Sequence, residues 1–154
     1  EEVDSLYREL HFDDKKYKWS ETAEKIHGKT REYLAQHGVP REEALADLME
    51  LILKYWAPGS KILVAGHNVS FDNDFTFQLF RDHELEGALK FHHVVIDTSG
   101  IGFVCIGEYK SDKVFEILGG LAEARKDHNA LEDARITLAV LRTVRQVFNA
   151  VFAV

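Results

Sequence analysis

The stretch KILVAGHNVSFDNDF, residues 61–75, changes its periodicity halfway. Lys61–Gly66 is a short apolar run bounded by turn signals, the pattern of a buried strand. From Ser70 onward, Phe71, Phe75 and Leu79 return at helical spacing, so a helix over 70–85 is expected, with Ser70 as its cap. HHVVID, residues 92–97, repeats the strand pattern and runs into the polar TSG. Strands alternating with helices predict an α/β domain, a class whose ligand crevice lies beyond the carboxyl ends of the strands.

The flanking sequence supplies the helices. SETAEKIHG (20–28) opens on a capping serine and stops at a glycine, and Thr30 caps a second short helix ending near Gly38. Pro40 suits a first helical position, and Leu45, Leu48, Leu51, Ile52 and Tyr55 form one apolar stripe. Val3, Leu6, Tyr7 and Leu10 fit either a helix or an edge strand, and HFDDKKYKW (11–19) reads as polar and turn-like. Three glycines in TSGIGFVCIGEYK (98–110) predict an irregular or weakly helical segment. Helices near 112–125 and 130–150 close the chain, the last with Ala130, Ala134, Leu138, Leu141 and Phe148 on one side. With no repeat, low-complexity tract or linker, residues 1–154 are expected to form one domain.

Composition narrows the function classes. At 45% hydrophobic and 29% charged, the chain has the balance of a soluble globular protein. A net charge of −7 argues against a broad phosphate-binding face. It is compatible with an enzyme that holds one strand end, or with acidic clusters that bind cations. The lone Cys105, in the apolar IGFVCIG, reads as a small buried hydrophobe, and no internal disulfide can form. No apolar run reaches the ~18 residues of a membrane span, and no signal peptide opens the chain, so a cytoplasmic location is expected.

By position, His67, Asn68, Asp72 and Asp97 gather at the strand ends. Asp72, one turn into its helix, either complements the helix dipole or serves as a ligand. HNALEDA (128–134) supplies a second group. If the helix starts near Asn129 or Ala130, His128 lies just before it and Asp133 about one turn inside. Glu132 then points about 100° away, toward solvent.

Together, HNxxFDxxF (His67, Asn68, Phe71, Asp72, Phe75) and HxAxxDA (His128, Ala130, Asp133, Ala134) resemble the second and third motifs of the DEDDh, or DnaQ-like, 3′–5′ exonucleases. EKIHGKT (24–30) resembles that family's IHGIT segment, and VIDT (95–98) the strand after its second motif. The similarity runs from about residue 20 to the end. It implies a ribonuclease H-like mixed central sheet flanked by helices. It also implies hydrolysis of single-stranded DNA or RNA 3′ ends to 5′-mononucleotides, with two divalent cations, Mg²⁺ or Mn²⁺. Two such ions clamp the attacking and leaving oxygens, and hard oxygen ligands suit them. On this resemblance Asp72 and Asp133 are metal ligands, and His128 is the general base, its ordinary pKa near ~6.5 suiting that task. Asn68 and His27 are candidate substrate contacts. Phe71 and Phe75 are expected in the core, and His67, His92 and His93 are expected to be structural.

The family's first motif, Asp-x-Glu on the central strand, supplies the other two carboxylates, and this chain has none upstream. Asp82-His83-Glu84 has the pattern but lies after the second motif at a helix end. The family's third strand would fall at VDSLYREL (3–10), so its first two strands are expected to precede this chain. Without them, the strands present should expose backbone groups and apolar faces. The chain alone is then expected to be inactive or impaired. The alternative is an inactive exonuclease-like module that binds nucleic acid or a protein. A fused or associated nucleic-acid-processing domain and a homodimer are both compatible with the family.

Overall fold

The computed structural model describes residues 2–121 and 129–152, and among these it is a mixed α/β fold of seven helices and a two-stranded parallel sheet. Two short helices come first, α1 (Glu21–His27) and α2 (Arg31–His37). Ser20 Oγ accepts from Ala23 N at 3.2 Å, and Gly28 ends α1 in the left-handed region at φ 69°. Thr30 Oγ1 accepts from Tyr33 N at 3.1 Å to start α2. These local caps satisfy end groups that seven-residue helices cannot satisfy themselves. Before them, residues 2–20 form neither expected element, and a lone parallel bridge joins Leu10 to Val39.

Helix α3 (Arg41–Tyr55) buries Ala44, Leu45 and Ile52, with Pro40 at its N-cap rather than its first turn. Strand β1 (Lys61–Gly66) leads to α4 (Val69–Asp82), and β2 (Lys90–Asp97) lies parallel to β1. Their register pairs Ile62 with Phe91 but Val64 with Val95, so β2 bulges over His92–Val94. There His92 Nδ1 accepts from Val94 N at 3.0 Å, and the His92 and His93 rings stack 4.5 Å apart. Beyond the bulge Gly66 pairs with Asp97, bringing both strand ends level.

Two apolar clusters hold this frame. Leu45, Leu79 and Phe80 join α3 to α4, with Leu48, Met49, Leu85, Leu89 and Phe91 against them. Val114, Phe115 and Val140 join α6 (Ser111–Ile117) to α7 (Ala130–Phe152), with Leu118, Leu121 and Ile136 packed alongside. Among the described residues β1 is hydrogen-bonded to β2 alone, and Leu63 on it is 47% exposed. A two-stranded sheet, open at the outer edge of each strand, is marginal without further cover.

Four expectations are corrected. Residues 98–106 form a regular helix, α5 (Thr98–Ile106), because Gly102 packs against its neighbours instead of loosening the chain. The helix expected near 112–125 ends at Ile117; Gly120 turns at φ 74°, and residues 122–128 lie outside the described residues. On α7, Ala130 and Ala134 are exposed, and the packed face runs through Asp133, Thr137 and Val140. Cys105 is exposed on α5, beside Val104 at 84% exposure. No helix among the described residues is long and apolar enough to cross a membrane.

Candidate functional site

The carboxyl ends of β1 and β2 meet in a polar knot. Asp97, the last residue of β2, accepts from the backbone N–H of Asn68 and of Val69, both at 3.0 Å. It also accepts from Ser99 N at 2.9 Å and Ser99 Oγ at 2.7 Å, capping α5. One side chain thus fastens the starts of two helices. Burial alone would raise its pKa, but the hydrogen bonds from Ser99, Asn68 and Val69 outweigh it and hold the carboxyl below the usual range.

That attachment explains why Ser70 is not the cap of α4. Asp97 takes the N–H groups at 68 and 69, so the cap lies two residues earlier, at Asn68, with φ 58° and ψ 50°. Asparagine tolerates this left-handed conformation better than most residues. His67 is held locally: its Nδ1 lies 3.0 Å from Thr98 Oγ1, and its ring meets Phe115 edge-on at 5.2 Å.

Asp72 lies in the first turn of α4. Its carboxyl is raised above the usual range, first by burial and then by the negative fields of Asp97 and Asp133, with His67 opposing. The two motif aspartates, from opposite halves of the chain, therefore stand within each other's field. Asp133 is half-buried in the first turn of α7. Asn129 caps that helix, its Oδ1 accepting from Leu131 N at 3.0 Å and Glu132 N at 3.2 Å. Glu132 points to solvent, as expected, and pairs with Arg135 at 2.7 Å. His128 lies outside the described residues. Among the described residues no group of three or more His, Cys, Asp or Glu side chains is arranged to hold an ion. Asp72 and Asp133 offer hard oxygen donors, fewer than a two-ion site requires.

His27 is elsewhere. Its Nδ1 accepts from Lys29 N at 3.0 Å, and its ring meets Trp19 edge-on. It lines a cavity of about 750 Å³ between residues 10–41 and α4, with Phe12, Trp19, Leu34, Phe75 and Leu79 among its walls. No strand residue lines it. Phe71 and Phe75, expected in the core, are 59% and 65% exposed, with ring centroids 4.9 Å apart. The sequence signal for this cavity is Phe12, Tyr17 and Trp19, which stand among the polar residues of HFDDKKYKW.

Asp82, the first residue of the Asp82-His83-Glu84 pattern, is a structural clamp. Its nearly buried carboxylate accepts from Tyr17 Oη and, at 2.6 Å each, from Lys16 Nζ and Gln78 Nε2, with Arg41 at 3.4 Å. It pins the 11–20 segment to α3 and α4. Neither a protein-family model nor a curated protein matches this chain.

Proposed function

We propose that this chain is the greater part of a metal-dependent 3′–5′ exonuclease domain of ribonuclease H-like fold, acting on single-stranded DNA or RNA ends. The observation that carries the reading is the placement of Asp72 in the first turn of α4 and of Asp133 in the first turn of α7, two helices that both pack against β1, with the field of Asp133 contributing to the raised carboxyl of Asp72. Carboxylates gathered in this way suit cations, whose binding reverses the local field. Asp72 and Asp133 would hold two Mg²⁺ or Mn²⁺ ions together with an Asp-x-Glu pair, and His128 would accept the proton of the attacking water. When bound, the ions supply charge neutralisation at both oxygens of the displacement. The open edge of β1 is where a strand bearing that pair would dock.

The test is cleavage of a 5′-labelled single strand with Mg²⁺ or Mn²⁺. The natural polypeptide carrying this sequence should shorten it stepwise to 5′-mononucleotides, whereas residues 1–154 alone should not. Asp72→Ala, Asp133→Ala and His128→Ala should each abolish shortening. Full activity in Asp133→Ala would overturn the assignment. Binding without cleavage by the natural polypeptide would favour the inactive-module reading.

A further inference from the structure

The cavity beside α4 is unusual in its charge. On a chain of net charge −7, its walls carry Lys18, Arg41 and Arg81 but one carboxylate, Asp74. Arg81 Nη2 and Nε donate to the neutral Gln78 Oε1 at 2.9 and 3.3 Å. Among the described residues neither Arg81 nor Lys18 forms an ion pair with a carboxylate. Arg41 is committed to Asp82 and to the Tyr17 ring, 4.8 Å away.

Between these cations stand fixed aromatic rings. Trp19 Nε1 donates to Glu24 Oε2 at 2.8 Å, and the Trp19 ring meets Phe12 edge-on at 4.9 Å. Phe75 lines the cavity and pairs with Phe71, which is adjacent to Asp72 in sequence. A row of rings thus leads from the Asp72 turn along α4 into the cavity. Its size lies within the range for pockets that hold small organic ligands, about 300–1,000 Å³.

We propose that this cavity is a second nucleic-acid subsite, which stacks the internal bases of a single strand whose 3′ end lies at Asp72 and Asp133. Every base offers a face to an aromatic ring, and Lys18 and Arg81 complement the backbone phosphates. The cavity begins at Asp74 and Phe75, within one turn of Asp72, and runs along α4 to Arg81, so it would receive the nucleotides that follow the terminal one and set how long a strand must be to bind well. The direction of the strand rests on the exonuclease reading above, whereas the aromatic and cationic lining does not.

Trp19 provides the readout, because the chain's other tryptophan, Trp56, does not line the cavity. In a Trp56→Phe background with EDTA present, oligothymidylate of about eight nucleotides should quench Trp19 fluorescence. Thymidine 5′-monophosphate should not. Phe75→Ala and Arg81→Gln should each weaken octamer binding by about tenfold or more, in line with the loss of one stacked base or one phosphate contact. Both side chains are exposed, so both variants should melt like the parent. Octamer binding measured by anisotropy, with Trp19 unmoved and both variants neutral, would overturn the subsite and leave the exonuclease reading intact. Absence of octamer binding also overturns it, and the cleavage test at Asp133 then decides the exonuclease reading on its own.

Discussion

Asp97 holds Val69: the carboxylate at the end of β2 accepts the first helical N–H of α4 at 3.0 Å, across 28 positions of sequence. This contact fixes where α4 begins and therefore where Asp72 projects, one turn later. The anchoring atom belongs to a strand that the sheet register sets level with Gly66. Position of the candidate ligand thus follows from strand pairing, through one side chain.

Asp97→Ala should remove four accepted hydrogen bonds and release the starts of α4 and α5. Part of that loss is made good by water, so destabilisation of about 1–3 kcal/mol is expected. Asp97→Asn keeps an acceptor and should recover part of it. Chemical denaturation of the two variants, followed by circular dichroism, measures the difference; equal stability of Asp97→Ala and the parent would contradict the anchoring role.

Asp72 should behave in the opposite way. Its folded pKa is raised by burial, Asp97 and Asp133, so ionised Asp72 disfavours the folded state above the usual carboxylate range. Asp72→Asn should therefore stabilise the metal-free protein near neutral pH. The gain should disappear as pH falls through the raised pKa to the unfolded value. Because the group is half-exposed, screening limits the gain to a few tenths of a kcal/mol. Melting curves with EDTA at several pH values test this, and a gain that persists at low pH would point to some other cause.

Acid should act mainly through Asp82. Burial would raise its pKa, but Lys16, Tyr17 and Gln78 outweigh burial and hold the carboxyl below its usual range. A depressed folded pKa contributes stability that is complete above the unfolded value near ~4 and is lost as pH falls toward the folded one. Asp82→Asn should lower stability at neutral pH by about 2 kcal/mol, less than a fully buried pair because Lys16 is partly in water. It should also flatten the acid limb of the stability profile. An acid limb identical to the parent's would remove Asp82 from this role.

The parts of the fold readable from sequence are those set by near neighbours. Ser20 with Gly28, and Thr30 with Gly38, bound their helices because capping reaches only three or four residues. Apolar runs gave both strands. Ser70 misled because the competing acceptor, Asp97, is remote in sequence. The buried stripe of α7 was misplaced because burial depends on where α6 lies, and Val114 and Phe115 select Val140 and Ile136 rather than Ala134. In the candidate site, the sequence places Asp72 and Asp133 each in the first turn of its helix, and both are found there. The exposure of Phe71 and Phe75 was not legible, because helical spacing marks an apolar face without saying whether anything covers it.

Gly102 gives the sharpest packing test. Glycine in a helix ordinarily costs stability relative to alanine, so Gly→Ala at an open helical site is expected to stabilise by up to about 1 kcal/mol. Gly100, two residues earlier in α5, has open space around an added Cβ. At Gly102 the added carbon would overlap Val114 Cγ2 and stand 2.6 Å from Glu108 O. Val114 is fully buried against α7, so it has little room to yield. Gly102→Ala should therefore destabilise by about 1–3 kcal/mol through overpacking, while Gly100→Ala should be neutral or stabilising. Val114→Ala should relieve the overlap, so the double variant should lose less than the sum of the two single losses. Thermal melts of the four proteins complete the cycle; strict additivity would mean that α5 does not approach α6 at Gly102.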